Sequence, residues 1–315
     1  MIGFLRKINW RVALLWGLLF VGMNSSFASA GEKLPTEKAY LNDVYKNMMA
    51  ISSLHYDVTI KAVTPMGEMK AAINGEVQEK PLSVKQDIQM SFYDLLNKEN
   101  TVMLKQYIEQ NQANLVVYSF SNDTWIKQIV PFDPSLTKEL SADEKAAAQM
   151  NMLQLIKEAK MIKETPSFKY MEITLDSMQL SDTMSAAVKL NHANDKDMAA
   201  AVAIGRLGLL AAGDIKYTIK VDKETKIVKE IEMDLTEPIR KGAGLFLDIA
   251  NPKDRATIES FLTNSTLTMQ VTYSKYNQVD PIEIPKDIKD NAKEVKSTDM
   301  AFPKKNKSND AIKSL

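Results

Sequence analysis

The chain has 315 residues, with 40 basic and 40 acidic side chains, 18 methionines and no cysteine. Setting aside residues 1–30, whose only charges are Arg6, Lys7 and Arg11, leaves 37 basic against 40 acidic residues, so no strong field draws the protein to nucleic acid or an anionic membrane. The lack of cysteine excludes a thiol nucleophile, a cysteine-metal site and a lipidated N-terminal cysteine, and in an exported chain it points to a bacterial envelope.

Export is read from residues 1–30. A basic start is followed by the short apolar run Val12 to Met23 and then by Ala28-Ser29-Ala30, the small-residue pattern that precedes signal-peptidase cleavage. The run is too short for a comfortable membrane span, so cleavage near Ala30 is expected, with a secreted or periplasmic product; an uncleaved anchor is the alternative. Asn264-Ser265-Thr266 matches a glycosylation sequon, a coincidence in a bacterial protein.

The first element is an amphipathic helix after Pro35, with Leu41, Val44, Tyr45 and Met48 on one face. Alternating runs follow. Residues 58–63 and 71–78 read as strands, and 82–92 places Leu82, Val84, Ile88, Met90 and Phe92 on one face, interrupted by Gln86. Residues 101–110 and the hairpin 115–130 continue the series, with turns at Asn111–Asn114 and Ser121–Thr124. The strand Leu115–Phe120 is apolar on both faces, so two different surfaces must cover it.

At Ser141 the pattern changes. Ser141 and Glu144 form a capping box, and a long helix is expected from there to Glu164, ended by Pro166. Its face would be Met152, Leu155, Ile156, Ala159 and Ile162. Residues 170–175 return to strand, 180–195 read as a broken helix, and Asp197–Gly213 as a strongly apolar helix buried within the protein. A hairpin over 215–235 turns at Asp222–Thr225. A helix at 252–264 and a strand at 267–277 follow, and the tail beyond 296 has the composition of disorder. With no low-complexity linker, residues 31–296 form one domain. Its short turns and grouped helices make it α+β with one curved antiparallel sheet.

Catalytic signatures are weak. His55 and His192 are the only histidines, lack ligand spacing and read as surface or helix-end residues. GRLG and KGAG are fragments rather than phosphate loops, and the acids mostly alternate with lysine on polar strand faces. No metal or cofactor is implied. A carboxylate pair acting on a glycan has nothing to single it out. Methionine is the unusual feature. Met48, Met90, Met103, Met152, Met161, Met233 and Met269 lie on apolar faces, either as core filling or as the flexible wall of a cavity for apolar ligands of varied shape.

Five segments, in this order, carry a family likeness: the N-terminal helix with SSLHYDVTIKA; GEVQEKPLSVKQDIQMS; YIEQNQANLVVYSFSNDTWIKQ; YTIKVDKETKIVKEIEMDL; and YSKYNQVDPIEIPKDIKDNAKEV. Over residues 36–296 the chain resembles the LolA-like lipoprotein-carrier superfamily of secreted bacterial proteins, including its mycobacterial lipoprotein relatives and an uncharacterised branch in Firmicutes. The resemblance implies an unclosed antiparallel β half-barrel with helices covering the concave face, and between them an apolar cavity for lipid or lipoprotein acyl chains. One side of Leu115–Phe120 would then meet the helices or the cavity, and the other a crossing segment. The lining expected on the first strands is Met90, Phe92, Met103, Tyr107 and Val116, with Tyr118 and Trp125 at the mouth; the later strands contribute Ile219, Val221, Met233, Leu267, Met269 and Val271. Each buried methylene is worth about 0.8 kcal/mol, so one long acyl chain offers on the order of 10 kcal/mol before ordering costs. The chain departs from the founding carriers in two insertions, Ala186–Gly213 and Gly242–Asn264, and Arg206, Arg240 and Arg255 are only candidates for their cargo-gating arginine. The expected protein is a non-enzymatic, exported binder of acyl chains, in transient contact with membranes. The alternative is an envelope interaction or sensor module with a filled core and a protein partner.

Overall fold

The structure is a computed structural model that describes residues 36–93, 99–121, 123–132, 142–183, 196–247 and 252–295. The expected signal segment, the Ser141 cap, most of the 180–195 segment, His192 and the 297–315 tail lie outside those residues.

Helix α1, Thr36–Met48, opens the fold, with Glu37 in its first turn and Lys46 in its last, each favourable to the helix dipole. Six strands follow: β1 Ser53–Thr64, β2 Gly67–Glu79, β3 Leu82–Tyr93, β4 Glu99–Asn111, β5 Asn114–Ser121 and β6 Thr124–Pro131. Helix α2, Ala142–Gln154, leads to β7 Ile156–Glu164 and β8 Phe168–Leu175. Helix α3, Lys196–Ala212, precedes β9 Ile215–Asp222 and β10 Val228–Asp234; α4, Thr236–Leu247, and α5, Pro252–Thr263, precede β11 Thr266–Ser274. The short α6, Lys286–Asn291, and β12, Lys293–Glu294, end the described chain.

All twelve strands join one sheet in the order β12-β6-β5-β4-β3-β2-β1-β11-β10-β9-β8-β7. Pairing is antiparallel except between β12 and β6, and the terminal strands β12 and β7 do not meet, so the α+β fold is an unclosed half-barrel. Opposed residues in antiparallel strands share a face. The register therefore draws continuous rows across the sheet, such as Ile173–Tyr217–Met233–Met269–Ile60–Ala71–Met90–Val102. This inner face is the one α1 covers: Leu41 and Val44, both fully buried, pack with Leu153, Met171, Ile173, Ile219, Val221 and Val271. The Lys38 ammonium fastens α1 to the Ile156 carbonyl at 2.6 Å.

The predicted turns occur. Gln112 and Asp123 take left-handed φ values of 53° and 60° between β4, β5 and β6. At the β9–β10 turn the Asp222 carboxylate accepts from the Thr225 N–H at 2.9 Å and hydroxyl at 2.8 Å. These bonds, the backbone one first, hold the Asp222 carboxyl below the usual carboxylate range.

Three expectations are corrected. The helix expected to reach Glu164 ends at Gln154, and Ile156–Glu164 is a strand. The edge of β8 supplies backbone partners through a hairpin closed at Thr165–Phe168, and this pairing overrides the helical spacing of LQLIKEAKMIKE. Ile156 and Ala159 still join the core, but Ile162 is 50% exposed. Helix α3 is not buried throughout: Leu207 and Leu210 are exposed. It packs chiefly on α4, where a Cβ at Gly242 would stand 2.9 Å from the Gly208 carbonyl oxygen, so the fragments GRLG and KGAG form a close helix crossing. His55 lies in β1 rather than at a helix end, its Nε2 3.2 Å from Asp57 Oδ2 and 3.3 Å from Asn74 Nδ2.

Two predictions follow from local geometry. A Cβ on Gly75 would sit 2.4 Å from the Tyr56 ring, so Gly75→Ala should cost about 1–3 kcal/mol in urea denaturation, and far less in a Tyr56→Ala background. A carboxyl lowered on folding stabilises above its unfolded pKa of about 3.9 and loses that contribution as pH falls through the folded value. Asp222→Asn should therefore lower stability at neutral pH and flatten its fall below about pH 4, so that variant and wild type converge in acid.

Candidate functional site

The residues expected to line a cavity fall on two faces of the sheet. Met90, Phe92, Ile219, Val221, Met233, Leu267, Met269 and Val271 lie on the inner face; Met103, Tyr107, Val116, Tyr118 and Trp125 lie on the outer one. The split is a consequence of strand periodicity, since one residue of offset changes the face.

On the inner face, burial grades from one side to the other. Under α1, Ile219, Val221, Met269 and Val271 are at most 7% exposed and touch protein, with Met233 partly buried beside them. Farther along, the cover ends. Met90 is 36% exposed, and its neighbours Met69 and Val102 are 38% and 41% exposed. Phe92, opposite Met69, and Leu267, opposite Ala62, are half-buried. Met69 and Val102 were missing from the sequence-derived set. Each stands directly opposite a chosen inner-face residue, so the register, once known, identifies them.

This open end of the sheet is where the helices emerge. The end of β8 pairs with the start of β9, and β10 runs out beside the start of β11, next to Ala62 and Met69. Helices α3, α4 and α5 therefore stand at the same end as the exposed methionines and present Leu207, Leu210, Ile239, Leu245 and Ile258 to solvent. Exposed apolar residues gathered at one end of a fold mark a binding or membrane-facing site more often than a scattered leucine does. The three candidate arginines have different roles here. Arg206 pairs with Asp182 at 2.6 Å. Arg240 donates to the carbonyls of Leu262, Thr263 and Ser265, tying off the end of α5, and to Glu237. Arg255 sits in the first turns of α5.

Over β5 the outer face is covered by the chain itself. Leu115 and Val117 point inward to Leu82 and Ile108, whereas Val116 and Tyr118 point outward and are covered by Ile284 and Ile288 of the C-terminal segment. That segment is the crossing element expected over one side of this strand. It is anchored by the Asn277 N–H to the Ser53 carbonyl at 2.7 Å, by Lys289 to Glu109 at 2.6 Å, and by the Val295 N–H to the Lys127 carbonyl at 2.9 Å. Tyr118 donates to Glu109 at 3.3 Å, and desolvation, reinforced by that carboxylate, pushes its phenol up to about 12. The Trp125 ring lies 5.8 Å from Tyr107 and 5.2 Å from Phe120, on this outer face rather than at an inner mouth.

Elsewhere, a depression of about 340 Å³ at the tips of β2–β3 and β4–β5 is walled mainly by polar side chains, Glu79, Lys80, Gln110 and Gln112, with Pro81. Among the described residues no group of three or more acids or histidines could hold a metal, and no helix is long and apolar enough to cross a membrane.

A family model described as "Family of unknown function (DUF6612)" matches residues 38–293. No curated protein matches the chain. Among solved structures, the Mycobacterium tuberculosis lipoprotein LppX aligns with 80% of this chain and all of its own, at 11% identity and a TM-score of 0.38.

The C-terminal cover has a simple test. Trp125 is the one tryptophan beyond residue 30. In a chain starting at Gly31, Ile288→Ala should destabilise by about 2–4 kcal/mol, and Ile288→Asp should red-shift Trp125 emission as the cover lifts. An unchanged spectrum in a folded Ile288→Asp variant would contradict the contact.

Proposed function

The chain belongs to the DUF6612 family, whose function is unknown, and we propose that it is an exported, non-enzymatic envelope protein that binds lipid or lipoprotein acyl chains on the open part of its inner face. One observation carries the reading: the row that is solid core at Met269 continues, in register, to Met90 and Val102, which are 36% and 41% exposed. Such a surface gains roughly 25 cal/mol per Å² when an apolar guest covers it, and methionine adapts to guests of differing shape. Binding of this kind requires no catalytic group. Export rests on the signal-like residues 1–30.

A second reading is a protein-interaction module with a filled core. It is favoured by the packing of α1 on Ile219, Val221, Met269 and Val271, which leaves no room for a ligand at those four positions.

Native mass spectrometry and organic extraction of the chain from Gly31 separate the two. Acyl chains should copurify. Met90→Asp and Val102→Asp should lower their yield at least about tenfold, each placing a charge where an apolar guest would desolvate it. Met103→Asp, 62% exposed on the outer face, should leave the yield unchanged. Lipid-free protein, or equal yields from all three folded variants, would favour the interaction module.

A further inference from the structure

One row of the inner face is polar. Tyr56, Gly75, Gln86, Gln106 and Ser119 stand opposite one another on β1 to β5. The rows on either side are apolar: Val58, Ile73, Ile88 and Leu104 toward the open end, and Val77, Val84, Ile108 and Val117 on the other. The polar row is wired in one direction. The Tyr56 hydroxyl donates to Gln86 Oε1 at 2.7 Å, Gln86 Nε2 donates to Gln106 Oε1 at 2.7 Å, and Gln106 Nε2 donates to Ser119 Oγ at 3.0 Å. Gly75 makes the first step possible, because the phenol lies across its Cα and a Cβ there would stand 2.5 Å from the hydroxyl oxygen.

Resting on the acyl-chain reading above, we infer that this row receives the carbonyl oxygen of a neutral acyl ester or amide. The wiring gives each glutamine oxygen one donor and uses one N–H of each amide. The second N–H of Gln86 and of Gln106 and the Ser119 hydroxyl proton are donors that these bonds do not use. Every oxygen of the glutamines already accepts one bond, whereas these donors have none in the row; an unmatched N–H is less tolerated than an oxygen with one lone pair unused, and on an apolar face it costs about 1–3 kcal/mol. An acceptor atom on the ligand removes that cost. No lysine, arginine or histidine lies in the row, so a carboxylate or phosphate finds no counter-charge there, and a neutral carbonyl is the acceptor that fits. The row is reached at its half-buried members Gln86 and Ser119, which flank the buried Gln106, and Gln86 is four residues along β3 from the exposed Met90, roughly 13 Å. The chain of an acyl ester would lie over Met90, Val102 and Leu104 with its carbonyl at Gln86.

The test uses the chain from Gly31 and displacement of an apolar fluorescent probe by ligands of matched length: an alkane, a fatty-acid methyl ester, a free fatty acid, a diacylglycerol and a diacylated lipopeptide. The methyl ester should bind about tenfold more tightly than the alkane, the gain of one good hydrogen bond, and more tightly than the ionised acid. The Gln86→Leu/Gln106→Leu variant should bind ester and alkane alike, with alkane affinity unchanged or higher. The diacylglycerol and lipopeptide arms decide which source of ester the site prefers. Equal affinity of the wild-type protein for ester and alkane overturns the assignment while leaving the apolar site standing, and needs no variant to fold. An ester preference that survives in the folded double variant overturns it as well. Binding of no ligand at all removes the acyl-chain reading and this assignment together.

Discussion

Two buried residues of one helix, Leu41 and Val44, set the limit between core and open surface in this protein. A twelve-stranded sheet that does not close has an inner face larger than a thirteen-residue helix can cover. Where α1 lies, the face is ordinary close-packed core; beyond it Leu82, Ile108, Leu115 and Val117 form a second buried cluster, and toward the open end the rows reach exposed side chains. Register supplies the continuity, because each strand must place its apolar set on the side its neighbour dictates. The consequence is a single apolar surface, buried at Val221 and Val271 and open at Met69, Met90 and Val102.

The outer face has a different solution. A strand apolar on both sides needs two covers, and Leu115–Phe120 has them: the small cluster of Leu82 and Ile108 within, and the C-terminal segment without. That segment also supplies β12 to the edge of β6, so one free edge of the sheet is paired. The other edge, β7, is interrupted by two register shifts and lined by lysine and glutamate, which discourages pairing with another chain. Both devices let an unclosed sheet keep an open inner face while limiting what can pair with its edges.

Much of this was legible in the residues. Alternation marked β3, β9, β10 and β11, because a half-buried strand imposes a period of two; the 3.6-residue period marked α1. The turns at Asn111–Asn114, Ser121–Thr124 and Asp222–Thr225 were marked by residues that tolerate left-handed backbone or bond to it. Gln86, which interrupted an otherwise apolar face, was visible as an anomaly, but its partners Gln106 and Tyr56 were not, being brought opposite it only by pairing. The conversion of residues 156–164 from expected helix to strand has the same origin: LQLIKEAKMIKE satisfies both periods over a short span, and β8 supplied the partner that decided.

Local pattern thus determined by itself that the chain is α+β, that its strands are antiparallel and joined by tight turns, and that it carries more apolar strand surface than one face can use. Tertiary structure alone decided which of the candidate lining residues share a face, which of those α1 buries, and that Tyr118 and Trp125 belong beneath the C-terminal segment. The reason is physical. Periodicity is a property of neighbours in sequence, whereas burial depends on whatever element, from anywhere in the chain, lies over the surface that periodicity has made.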